Sequence, residues 1–171
     1  MGRRSAPTPD SLAPIGREGW GEGKNPNRIL TNKKSSHLTK LSTLARAFLA
    51  DLRLSGVELS LSLVTDAAIR RLNREWRGLD KPTDVLSFPA GDSPAPGLKP
   101  LGDVIISLDT ARRAAKSFHT PLDRELALYL AHGLLHLLGH DHHTKTAARR
   151  MEREEQRLLG HAGMLSRSDE L

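Results

Sequence analysis

The chain has 171 residues, 37% of them hydrophobic and 27% charged, with a net charge of +6, which suits one soluble core with some length left for tails. No run approaches the roughly 18 consecutive apolar residues that span a bilayer, and the first forty residues lack the short apolar core of a secretory signal. With no cysteine, disulfides and thiolate metal sites are excluded, so any metal must use His, Asp or Glu; this is compatible with a reducing cytoplasm.

The charge is uneven. Residues 1–40 hold eight Lys/Arg against three acids, a net of +5, which leaves +1 for the other 131. Such a segment attracts nucleic acid non-specifically, or is simply a solvated leader. Residues 1–26, rich in Gly, Pro and Arg without apolar periodicity, read as a disordered basic N-terminal extension. Residues 27–160 read as a single domain, and 161–171 as a flexible C-terminal tail.

In chain order, Arg28 to Asn32 is a short candidate strand. Between Leu38 and Leu54, Leu41, Leu44, Ala45, Phe48, Leu49 and Leu52 recur at three- and four-residue steps, an amphipathic helix that Gly56 breaks. Val57 to Leu63 alternates strictly apolar and polar, the signature of a half-buried strand. Thr65 and Asp66 suit the start of a helix whose buried stripe is Ile69, Leu72 and Trp76 and whose stop is Gly78. Val85 to Phe88 is a short strand ahead of Pro89, and Ala90 to Leu101 reads as a long loop. Val104 to Ser107 is a further strand, followed by a helix over Thr110 to Phe118. Thr120-Pro121-Leu122-Asp123 supplies a cap, a proline at the first helical position and an acid that reaches back to the cap. The helix it opens runs to Leu138 and is apolar nearly all round, so it belongs at the centre of the fold. Thr144 begins a last, highly charged helix anchored by Met151, Leu158 and Leu159.

Five of the eight histidines fall in the fourteen residues LAHGLLHLLGHDHH, Leu130 to His143. His132 and His136, four apart on a helix, lie about 40° apart in rotation and roughly 6 Å apart along the axis, so both imidazoles can face one ion. A continued helix would carry His142 about 15 Å from His132. Gly139 removes that obstacle, because it can take the left-handed conformation that ends a helix and turns the chain back. The pattern is then H-x3-H-x5-H with Gly three after the second His, the ligand positions of the metzincin signature. Three neutral imidazoles leave one tetrahedral zinc position for water. His140 and His143 compete for the third place, and His142 is favoured on spacing. A lone histidine on an apolar helix is commonly a hydrogen-bonded core residue, but two in mid-helix followed by Gly and more His are hard to satisfy without a metal. Asp141 is a candidate acceptor behind a ligand imidazole, or a surface turn acid. Metalloproteases place Glu directly after the first His as general base. Here that position is Gly133, which argues against peptidase chemistry.

A second polar block, Asn73 to Pro89, joins a helix end to a strand. Arg77 complements the helix dipole there, or it is a bidentate clamp for phosphate. With this block the sequence resembles the YbeY endoribonucleases, bacterial ribosomal-RNA maturation factors. The resemblance rests on LNREWRGLDKPTDVLSFP (72–89), LGDVIIS (101–107) and HGLLHLLGHDH (132–142), and spans roughly residues 57–159. It departs at His140, usually Tyr in the family, and in the N-terminal extension. The resemblance implies an α+β, zincin-like fold with a small mixed β-sheet, about five helices and a central metal-binding helix. It implies His132, His136 and His142 as ligands of one zinc or other divalent transition-metal ion, and Arg77 as a catalytic residue. It also implies single-stranded RNA as substrate in late small-subunit (16S) rRNA maturation and ribosome quality control. The implied partners are the ribosomal small subunit and an assembly GTPase, in the cytoplasm and without a membrane.

As general base the residues offer Asp84, Asp103, Asp141 and His140, and they leave open whether water or the RNA 2′-hydroxyl attacks. Two other classes remain: a hydrolase of another substrate built on the same cage, and a non-catalytic assembly factor with a structural metal.

Overall fold

The computed structural model describes residues 27–91 and 97–164. The expected extension 1–26, the middle of the expected Ala90–Leu101 loop and residues 165–171 of the expected tail lie outside the described residues. Within them the elements are β1 (Arg28–Thr31), α1 (Ser36–Asp51), β2 (Val57–Val64), α2 (Asp66–Arg77), β3 (Val85–Pro89), β4 (Lys99–Ser107), α3 (Leu108–Phe118), α4 (Leu122–Leu137) and α5 (Lys145–His161).

The described strands form one mixed sheet in the order β1-β2-β4-β3. β1, β2 and β4 are mutually parallel, and β3 runs antiparallel to β4 as an edge strand. With five helices this is the expected α+β architecture. The alternation of β2 places Val57, Leu59, Leu61 and Leu63 in the core. β4 adds Val104 and Ile106 to the same face, and β3 adds Val85, paired with Ile106.

Onto that face packs α4, which also contacts α1, α3 and α5. Leu126, Leu130, Leu134, Leu135 and Leu137 are all essentially inaccessible. At roughly 1.5–3 kcal/mol for each buried leucine, this helix is the main apolar element of the domain. The histidines on α4 are therefore carried by a helix that is buried along most of its length. α5 closes the outside of α4 through Met151, Leu158 and Leu159, as expected. Order continues past residue 160: His161 ends α5, and the Met164 N–H donates to the Leu159 carbonyl at 2.8 Å.

Three local expectations need correction. β4 begins at Lys99, so the end of the expected loop is strand, paired with the start of β2. At the start of α4 the cap residue is Pro121, whose ψ of 141° keeps it extended and outside the helix. Thr120 is then too far out to cap, and its hydroxyl donates to Glu125 Oε1 at 2.6 Å, while Asp123 accepts from Lys40 Nζ of α1 at 2.6 Å. On α2 the buried line runs through Ile69 and Asn73, and Trp76 is 49% exposed. The cause is Asn73, whose amide turns inward and donates to the Lys81 carbonyl at 2.8 Å, fixing the turn that leads into β3.

Asp66 ties the helix starts together. Its carboxylate accepts from Ser107 Oγ (2.6 Å), Thr110 Oγ1 (2.8 Å) and Arg113 (2.6 Å), and its own N–H donates to Asp109 at 3.0 Å. Burial opposes ionisation of Asp66, but the Arg113, Ser107 and Thr110 hydrogen bonds outweigh it and hold the pKa below its ordinary value.

Candidate metal centre

His132 and His136 project from the last two turns of α4, and the chain then reverses in a Schellman turn. Gly139 has φ +86°, its N–H donates to the His136 carbonyl at 3.0 Å, and the His140 N–H donates to the Leu135 carbonyl at 3.0 Å. A side chain at Gly139 would strain this left-handed residue. The reversal brings His142 back over the helix end. Ring centroids lie 4.6 Å apart for His132–His136, 5.2 Å for His136–His142 and 6.0 Å for His132–His142.

One nitrogen from each of these three rings lies within 4.8 Å of the others, and the two Nε2 atoms of His132 and His136 are 3.0 Å apart. A tetrahedral ion with nitrogen ligands at 2.0–2.1 Å needs ligand atoms about 3.3 Å apart. The trio could therefore hold a metal ion with small side-chain adjustments. Of the competing histidines, His140 lines a separate small cavity with Asp141 and Arg150, and His143 stands outside the cluster, its ring 5.7 Å from that of His142.

Burial, reinforced by the neighbouring His132 and His142 and by Arg77, pushes the His136 pKa down to about 4, against an opposing backbone hydrogen bond at His140. His136 is thus neutral at pH 7, the form that ligates a metal. The acceptor behind a ligand imidazole is not Asp141, which instead accepts from the His143 N–H at 3.1 Å. It is Glu155 of α5, whose Oε1 lies 2.6 Å from His132 Nδ1. A hydrogen bond from His132 Nδ1–H to that carboxylate is the arrangement that turns Nε2 toward the trio. Nothing in the sequence marks Glu155, one of several acids on a charged helix 23 residues further on.

A cavity of about 200 Å³ opens at the trio and is lined by Arg77, Thr83, Asp84, Val85, Ser87, His132, His136 and His142. Arg77 thus lines this cavity as well as standing at the end of α2. On the same helix Arg70 is bidentate to Asp80 at 2.9 and 3.0 Å, and Arg74 lies 3.8 Å from that carboxylate. Of the carboxylates considered as base, only Asp84 lines the cavity, with Oδ1 accepting from Thr83 Oγ1 (3.0 Å) and the Val85 N–H (2.8 Å).

The packing of Gly133 explains the missing glutamate. A Cβ there would lie 2.8 Å from Val104 Cγ1, 3.0 Å from Ser87 Oγ and 3.1 Å from Val85 Cγ2. The Gly133 carbonyl also accepts from Ser87 Oγ at 2.9 Å. The helix touches the sheet at this residue and leaves no room for the peptidase base.

A larger groove of about 560 Å³ lies between α1 and the start of α4. It is mostly apolar, with the Lys40–Asp123 ion pair at its rim, and is distinct from the histidine site.

The family model described as Endoribonuclease YbeY matches residues 27–163. A Myxococcus xanthus protein named Endoribonuclease YbeY is 59% identical over 150 residues, 86% of this chain and 47% of that protein. One of the same name from Anaeromyxobacter sp. is 52% identical over 126 residues, 74% of this chain and 65% of that protein. The chain thus spans about half to two thirds of the length of these relatives. A Thermotoga maritima protein solved in solution is 27% identical, with a TM-score of 0.46, and covers 79% of this chain and 90% of its own.

Proposed function

Because this chain belongs to the YbeY endoribonuclease family, we propose that it is a metal-dependent endoribonuclease that cuts single-stranded RNA in late small-subunit (16S) rRNA maturation and ribosome quality control. The observation that carries this reading is a cavity in which three metal-competent imidazoles, a guanidinium and a carboxylate converge.

We take His132, His136 and His142 as the ligands and zinc as the ion, since the donors are all imidazole and the sequence has no cysteine. When bound there, the ion supplies Lewis-acid polarisation of a phosphoryl oxygen or a water of lowered pKa. Glu155 holds the His132 ring and its tautomer. Arg77 grips the scissile phosphate through its planar fork and offsets the charge that grows in the transition state. Asp84 is the carboxylate placed to take the proton from the attacking oxygen. A product ending in a 2′,3′-cyclic phosphate identifies the 2′-hydroxyl as nucleophile, whereas its absence from the first products points to water.

The domain that does this is assigned to residues 27–160, with 1–26 as a basic extension. No helix among the described residues is long and apolar enough to cross a membrane. The setting assigned to the protein is the cytoplasm, with the ribosomal small subunit and an assembly GTPase as partners.

The test is cleavage of a single-stranded RNA by purified protein with and without chelator, with Arg77→Ala and His136→Ala as controls. The expected result is chelator-sensitive cleavage that Arg77→Ala lowers about 100- to 1000-fold in kcat, the scale of removing one oxyanion donor, while zinc is retained. His136→Ala should fold, lose zinc and fail to cut. Cleavage that survives both variants refutes the assignment.

A further inference from the structure

The exposed tryptophan on α2 has a partner. Trp76 packs against Phe88 of β3 with ring centroids 5.8 Å apart and planes tilted by 59°. Trp76 is 49% exposed and Leu79, just beyond the helix end, is 48% exposed, so the pair presents an apolar surface to solvent. Apolar side chains grouped on the surface, rather than scattered singly, mark candidate interaction sites.

Their position supplies one. Trp76 directly precedes Arg77 and Phe88 directly follows Ser87, and both Arg77 and Ser87 line the histidine cavity. Two elements thus place an aromatic ring one residue away from a wall of the site. Side chains alternate across a strand. Ser87 therefore faces α4, where it bonds Gly133, and Phe88 lies on the other face beneath α2. β3 is the edge strand of the described sheet, so no further strand flanks the aromatic pair on that side.

The local charge names the occupant. Residues 70–81 carry five cations, among them exposed Arg71 and Arg74, against two acids, a net of +3. An aromatic face, a phosphate-gripping arginine and a positive rim together match an unpaired nucleotide. A duplex keeps its bases stacked on each other and offers no free face to such a ring.

We propose that the Trp76–Phe88 pair is a stacking subsite for an unpaired base flanking the scissile phosphate, so that the protein selects single-stranded RNA by holding that base across the β3 edge from the cavity. Phe88 braces the Trp76 ring from below, and Arg77 joins the two halves. This rests on the endoribonuclease reading above and adds to it a determinant of single-strand preference.

The subsite is tested with Trp76→Ala, Trp76→Phe and Trp76→Leu in the full-length, metal-loaded protein. Trp76→Ala should raise KM for single-stranded RNA about tenfold or more, the scale of losing one base–aromatic stack, with kcat and zinc content little changed. Trp76→Phe should retain most of the affinity. Trp76→Leu, which keeps apolar area without a π-face, should not.

A binding measurement separates this from the catalytic reading. A Trp20→Phe background leaves Trp76 as the sole tryptophan. Its fluorescence should be quenched saturably by a single-stranded 2′-O-methyl oligonucleotide, and not by a base-free strand of equal length and charge. Unchanged KM in Trp76→Ala, or equal quenching by the base-free strand, overturns the subsite even if cleavage is robust. Should the wild type leave RNA intact, the endoribonuclease reading fails, while the quenching titration still decides the subsite. Loss of self-association in Trp76→Ala with RNA binding unaffected counts against it too.

Discussion

Replacing Glu155 isolates the contribution of one carboxylate to the proposed metal site. Its Oε1 stands 2.6 Å from His132 Nδ1, with the glutamate side chain 13% exposed and the histidine side chain 33% exposed, so solvent screens the pair only in part. Two effects depend on the contact. It favours the Nδ1–H tautomer, which turns Nε2 toward the trio, and its negative charge complements a cation bound there. Glu155→Gln keeps an acceptor oxygen but removes the charge, and should weaken zinc binding about tenfold, or roughly 1.4 kcal/mol. Glu155→Ala also frees the tautomer and should approach 100-fold, or roughly 2.7 kcal/mol. The assay is competition for zinc between the apoprotein and a chromophoric chelator, with circular dichroism to confirm that each variant is folded. A folded Glu155→Ala protein whose zinc Kd equals that of the wild type refutes the reasoning.

Gly133→Ala forces a methyl group against Val104, Val85 and Ser87 at 2.8–3.1 Å, and overpacking of this kind should cost about 1–3 kcal/mol in urea unfolding. Gly133→Glu should fail to fold rather than gain peptidase activity, and a stable, folded Gly133→Glu protein would contradict the packing argument. In the metal-free protein His136 has a folded pKa of about 4 against an ordinary 6.5. The unfolded state therefore binds its proton first as pH falls. Stability should start to decline near pH 6.5, with the His136 contribution gone by about pH 4, and His136→Gln should flatten that part of the stability–pH curve. Asp66 behaves as a lowered carboxylate: its contribution is complete above the ordinary value of 3.8 and is lost as pH falls through its lower folded value. Asp66→Asn should cost on the order of 1–2 kcal/mol at neutral pH and shallow the acid limb of unfolding.

Local pattern made much of the chain legible. The alternation in Val57–Val64, the cap at Thr65 with the stop at Gly78, and the Thr144 start of α5 all depend on neighbours within a turn or a strand, and each stands where the sequence places it. The histidine trio was equally legible, because i,i+4 spacing and a left-handed glycine are local geometry. At Thr120 the local pattern and the structure differ, because Pro121 stays extended and shifts the helix start by one residue. Trp76 was misplaced because periodicity reports an apolar stripe without knowing which neighbour fills it.

The sequence by itself determined most of the elements, the histidine-bearing helix and its turn, since those follow from interactions within a few residues. Only the tertiary structure decided that Glu155 stands behind His132, that Asp84 and Arg77 share the cavity with the trio, and that Gly133 touches the sheet. It also left Trp76 in solvent against Phe88. The physical reason is the same in each case. These contacts join residues far apart in the chain, and where they meet is set by how α2, α4 and α5 dock on one sheet, a choice that no local run of side chains encodes.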